Sequence, residues 1–228
     1  MLVQRRIPAH HLSTDTKDVV KLGMGLVGTM AALALGLLLA SAKSSYDAQA
    51  DELRQMSATV LLLDRALAHY GPEAKEARAL LRAAVVHALD HIWSDKGRQL
   101  GLPAAPRGKD VFEAIEQLTP ESAAQRLLQA QILKIGVDLG RLRLLLFEEG
   151  ARAMPMPFLV MLVFWLTIIF VSFGLFAPFN ATVVITMFVC ALSVSGAIYL
   201  ILELARPFAG LLQLSDAPLR EALQNLGR

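Results

Sequence analysis

Two long stretches of the chain carry no charge, residues 22–42 and residues 153–202. A helix needs about 20 apolar residues to cross a hydrocarbon core of about 30 Å, so the first stretch fits one span. The second is too long for one. Ala177-Pro178-Phe179-Asn180 supplies its turn, because a proline disfavours helix in the residue before it, and the run divides into 158–176 and 181–202. All three spans are expected to be helical, since lipid cannot satisfy a free backbone polar group and no alternating pattern exists to close a barrel.

Between the first and second spans the pattern changes. Leu53, Met56, Val60, Leu63, Leu67 and Tyr70 recur at three and four residues, which places them on one stripe of a helix continuing from the first span. Gly71-Pro72 ends that helix and opens another, whose predicted buried side is Ala77, Leu81, Ala84, Ala88 and Ile92. Gly and Pro residues break regular structure between Ser94 and Asp110. Asp110 with Glu113 then reads as the capping box of a short helix, and Thr119-Pro120 as the opening of a long one carrying Leu128, Ile132, Ile135, Leu139, Leu142 and Leu146. Three such stripes serve either an antiparallel bundle or an oligomeric coiled-coil stalk.

The chain is therefore read as an all-α integral membrane protein with three transmembrane helices and a helical extramembrane domain between spans one and two. Its predicted parts are a basic N-terminal segment (1–21), a first span (22–42), the domain (43–152), a transmembrane hairpin (153–202), and an interfacial segment with a C-terminal helix (203–228). Pro207 bends the chain out of the last span and lays Phe208 to Leu214 along the interface, with Ser215 capping the closing helix.

Composition agrees: 55% of the residues are hydrophobic, far from an ordinary soluble chain. The net charge of +2 and the 15 Lys/Arg against 15 Asp/Glu in the domain leave no basic face for nucleic acid. A single cysteine, Cys190, lies within an apolar run and is read as a packing residue.

Few residues carry candidate chemistry. Gly23 to Gly28 spell G-x-G-x-x-G, but without the strand and downstream acid that a dinucleotide site requires. Gly28, Ala32, Gly36, Ala40 and Ser44 recur every four residues, a small-residue seam that lets another helix approach closely. Ala40-Ser41-Ala42 imitates a signal-peptidase site after a run too long for a signal core. His87 and His91 share a helix face but lack a third strong metal ligand, and read as solvated. Hydroxyls within the spans are expected to bond their own backbone. Glu203 and Arg206, three residues apart, suggest either an interfacial clasp or, in a symmetric oligomer, a charged pore mouth. No nucleophile, cofactor or metal constellation is visible, so neither enzymatic chemistry nor a cofactor is expected.

The blocks STDTKDVVKLGMGLVGTMAALALGLLLASAKSSYDAQ, LLLDRALAHYGPEAKEAR and ELARPFAGLLQLSDAPLREAL resemble the bestrophin-like family of bacterial membrane proteins, a domain family of unknown function. The resemblance covers almost the whole chain. It implies, by distant likeness to bestrophin anion channels, a homo-oligomeric ion channel of the bacterial cell membrane with its domain in the cytoplasm. It also implies another span ahead of Arg5-Arg6-Ile7-Pro8, so either the start is truncated or internal or this member has three spans. Charge alone leaves orientation open: Arg5, Arg6, Lys17 and Lys21 favour a cytoplasmic N-terminus, while Lys43, Arg54, Arg141, Arg143, Arg152, Arg206 and Arg220 flank the domain side. The alternative function is a membrane-anchored helical scaffold whose domain binds an unidentified protein partner. The bilayer is a partner in both.

Overall fold

A computed structural model describes residues 14–93, 107–151, 156–176 and 180–227. The described residues form seven α-helices: α1 (Thr14–Tyr70), α2 (Lys75–Ile92), α3 (Arg107–Glu116), α4 (Ala123–Ala151), α5 (Met156–Phe176), α6 (Ala181–Leu204) and α7 (Ala217–Asn225). A 3-10 turn, Pro72–Ala74, links α1 to α2. No strand occurs among them, and the fold is that of an all-α membrane protein. The chain divides into two compact units, residues 1–44 with 153–205, and residues 45–152 with 206–228.

The first unit holds the apolar part of α1 with α5 and α6. These helices carry stretches with mean hydropathy of 2.1, 2.6 and 2.2, long and apolar enough to cross a membrane. Most of their large side chains are exposed, among them Leu22, Leu33, Phe158, Phe188 and Leu192. Ala31, Leu38, Leu162 and Ile201 are buried instead. Exposure of this kind is costly in water and ordinary in lipid, whose tails are as apolar as leucine.

In the second unit, every member of the predicted α1 stripe, from Leu53 to Tyr70, is buried in one hydrophobic core. Ile132 and Leu146 of α4 join it, with Leu128, Ile135, Leu139 and Leu142 packed alongside. On α2 the buried row is Ala77, Leu81, Val85 and Leu89, a strict four-residue repeat. Ala84, Ala88 and Ile92, expected on that face, are only half-buried. The larger Val85 and Leu89 fill the core better than two alanines, which moves the centre of the stripe by one position.

Helix boundaries also moved. Helix α3 begins at Arg107, which puts Asp110 inside its first turn, where an acid still favours the positive helix end, and not at its cap. Helix α4 begins after Ser122, whose Oγ accepts from Gln125 N at 3.1 Å while Gln125 Oε1 accepts from Ser122 N at 3.2 Å. Thr119 is therefore not the cap; the reciprocal Ser122/Gln125 box is. Gln129 Nε2 donates to the carbonyls of Ile115 and Leu118 at 3.1 and 2.8 Å, a side-chain contribution to the backbone bonding at the end of α3. Gly71 makes the α1–α2 turn at φ +133, a backbone conformation open to glycine.

The closing segment, expected along the interface, packs in part on the domain. Leu219 and Leu226 are buried in the domain core, and Trp93 Nε1 donates to the Leu214 carbonyl at 2.9 Å. The Trp93 and Phe208 rings meet edge to face at 6.0 Å. Only the tip stays out, with Leu211 83% exposed. Ser215 Oγ does accept from Ala217 N, at 3.2 Å, at the start of α7.

Leu67 and Tyr70 are both buried in this core and give opposite expectations. Leu67 is 0% exposed, so Leu67→Ala should destabilise the domain by about 2–5 kcal/mol in chemical denaturation. The Tyr70 hydroxyl is buried without a hydrogen-bonding partner, and burial, then Glu73 and Glu121, push its pKa up. Tyr70→Phe should therefore leave stability within about 1 kcal/mol of the parent or raise it.

Candidate functional site

The predicted membrane candidates are dispersed. Helix α6 ends at Leu204, between Glu203 and Arg206, so the helical spacing expected to bring both onto one face is interrupted. Glu203 is buried, at 9% exposure, in the last turn, whereas Arg206 is exposed beyond the helix end. Along α1, Ala32, Gly36 and Ala40 are exposed and Gly28 is half-exposed. A Cβ added at Gly28 or Gly36 would meet nothing within 4 Å. Among the described residues, then, nothing packs closely on the seam glycines, and the buried positions on this stretch of α1 are Ala31, Leu38 and Ala42 on a neighbouring face.

Hydroxyls in the spans turn back on their own helices. Thr167 Oγ1 donates to the Val163 carbonyl at 2.7 Å, Thr186 Oγ1 to Thr182 at 2.8 Å and Ser193 Oγ to Val189 at 2.9 Å. Cys190, expected in packing, is exposed. It sits on a helix whose surface is almost wholly apolar, where an exposed thiol behaves as a small hydrophobe. His87 and His91 stack loosely with ring centroids 5.8 Å apart, and no group of three potential metal ligands occurs among the described residues.

A polar cluster that spacing did not suggest lies in the domain. Asp64, its side chain 5% exposed, receives Arg78 Nε at 2.7 Å and Nη2 at 2.9 Å, a bidentate fork between α1 and α2. Gly227 N donates to the same carboxylate at 3.1 Å, and Arg82 Nη1 donates to the Leu226 carbonyl at 3.1 Å. These five residues tie the backbone at Leu226 and Gly227 to both helices. Desolvation pulls the Asp64 pKa up, but the Arg78 hydrogen bonds, the Gly227 N–H and the Arg78 charge outweigh it and hold the carboxyl below its ordinary value. Burial pulls the Arg78 pKa down, yet its bond to Asp64 is the larger influence and raises it. Asp64 follows Val60 by four residues and precedes Leu67 by three, so a lone acid on a buried stripe was the available signal. Its partners at Arg78 and Gly227 leave no local trace in sequence.

Because folding lowers the Asp64 pKa, the stability it contributes is present above its unfolded value, about 3.9, and disappears as pH falls through the folded one. Asp64→Asn keeps an acceptor but loses the charge and the symmetric fork. It should cost about 1–3 kcal/mol at pH 7, and thermal melts from pH 7 down to below pH 4 should show the parent approaching the variant as acidity increases.

The fold has counterparts among solved structures. Crystal structures of two point variants of a bacterial bestrophin homologue from Klebsiella pneumoniae match it with TM-scores of 0.67 and 0.64, at 18% and 19% identity. A crystal structure of a membrane protein matches with a TM-score of 0.65 at 19% identity, and each of the three matches covers 90% of this chain and 85% of the solved one. At such identities the likeness is one of fold. No curated protein matches the sequence. The bestrophin-like domain, however, matches residues 1–219, which is nearly the full length, and the chain belongs to the bestrophin-like family.

Proposed function

We infer that this protein is one subunit of a homo-oligomeric bestrophin-like ion channel, crossing the bacterial cytoplasmic membrane several times. The observation that carries the reading, beside family membership, is the outward-facing row Gly28, Ala32, Gly36 and Ala40. Small residues gain little from lipid contact but let a second backbone come close, so they suit a neighbouring subunit. Rotational symmetry then brings several copies of one α1 face around an axis.

Of the two end-charges, Arg206 suits the pore-mouth role. Its exposure leaves the guanidinium accessible, and a ring of arginines favours anions. Glu203, buried in the last turn of α6, suits a structural role at the helix end.

Purified protein in sealed liposomes tests this by ion flux under chloride and potassium gradients, with empty vesicles as control. Protein-dependent flux is expected, with Arg206→Gln lowering the preference for chloride and leaving assembly unchanged. Gly36→Leu should disrupt the oligomer in mild detergent, and an undisturbed particle would remove the seam from the interface. A folded, reconstituted protein without flux would favour the membrane-anchored scaffold, for which the self-contained domain core is the specific support.

A further inference from the structure

Between α1, α2, α3, α4 and α7 of the domain lies a cavity of about 130 Å³. Val60, Leu63, Phe112 and Ile115 give it apolar walls. It is close in size to the roughly 150 Å³ apolar cavity that suffices to hold a benzene molecule. Two features separate it from a packing defect.

The first is the pair Gly136 and Gly140 on α4. Both line the cavity and, four residues apart, share one helix face. Glycine weakens a helix interior relative to alanine, so neither residue is favoured by the helix itself. A Cβ at Gly140 would enter open space, while one at Gly136 would touch the Phe112 ring at an ordinary 3.7 Å. The missing side chains are what keep this wall set back.

The second is the polar edge. Among the lining residues only His87 and Arg143 carry ionisable side chains, and both are half-buried. Burial pushes the Arg143 pKa down, as for a guanidinium partly withdrawn from water. Arginine follows Gly140 by three residues and Gly136 by seven, so it continues the same helix face.

We propose that the cavity binds a small carboxylic acid with a compact apolar body of about six to eight carbon atoms, hydrocarbon against Phe112 and Ile115 and carboxylate at Arg143. A planar guanidinium fork matches a carboxylate. His87 offers a second donor on the same lining, and the apolar walls exclude a strongly hydrated anion that lacks a hydrocarbon body. The acid is a free solute and not the chain of a membrane lipid, because the volume accommodates only a small body.

Isothermal titration of the full chain in lipid nanodiscs, with empty nanodiscs subtracted, tests this using benzoate and hexanoate, with benzamide as the neutral isostere and palmitate as the lipid-derived acid. Saturable binding of benzoate or hexanoate is expected, with benzamide weaker. Gly140→Leu should fill the cavity and weaken the acids at least about tenfold, and Ala84→Leu, entering from α2, should do the same should the first variant fold poorly. Arg143→Gln should bring benzoate down to the level of benzamide and leave benzamide unchanged, a discrimination that lost packing alone would not produce. Absence of saturable binding of the short acids, binding of palmitate alone, or unaltered binding in a folded cavity-filling variant would each overturn the proposal.

Discussion

A carboxylate taken out of water must be surrounded by donors, and Asp64 sets that requirement at the centre of the domain. Burial alone would leave a charge far more costly than any neighbouring apolar contact could offset. The demand is met by Arg78 from the next helix and by the backbone N–H of Gly227 from the last turn of the chain. Satisfying one side chain thereby ties α2 to α1 and holds the backbone at Gly227 against both. The stripes supply most of the stabilisation, but apolar stripes tolerate sliding, and a bidentate pair with a third donor does not.

In the membrane unit the constraint is reversed. There the solvent offers no hydrogen bonds, so backbone groups are satisfied within helices, and the hydroxyls of Thr167, Thr186 and Ser193 return to carbonyls of their own helices. Apolar side chains need not be buried, and few are. What distinguishes one face of such a helix from another is shape. The small residues of α1 recur along one exposed face, which is why the proposed assembly turns on them and not on a greasy patch.

Legibility in the sequence followed the range of each signal. The spans depend on length and the absence of charge, and α1's buried stripe on local periodicity, and both were readable residue by residue. Helix α2 shows the limit: Ala84 and Ala88 satisfy a heptad pattern, but volume favours Val85 and Leu89, and pattern alone does not weigh volume. Thr119-Pro120 looked like a helix start, yet the box at Ser122 and Gln125 had a better pair of hydrogen bonds. The three-residue spacing of Glu203 and Arg206 puts both on one face only where the helix runs through them, and it stops between. The Asp64 cluster and the cavity were invisible because both are made by residues that meet only after folding.

The way the tail is held has a consequence for how such chains vary. At Leu226 and Gly227 the groups that bond to Arg82 and Asp64 are a carbonyl and an N–H, which every non-proline residue possesses. Missense changes there would be filtered only through the apolar contact of Leu226 and the positive φ of Gly227. Deleting a residue between α7 and Gly227 would instead displace a donor that a buried anion relies upon. Across related genes, the imprint of this contact would then be a conserved distance from α7 to the bonded backbone, more than a conserved set of letters.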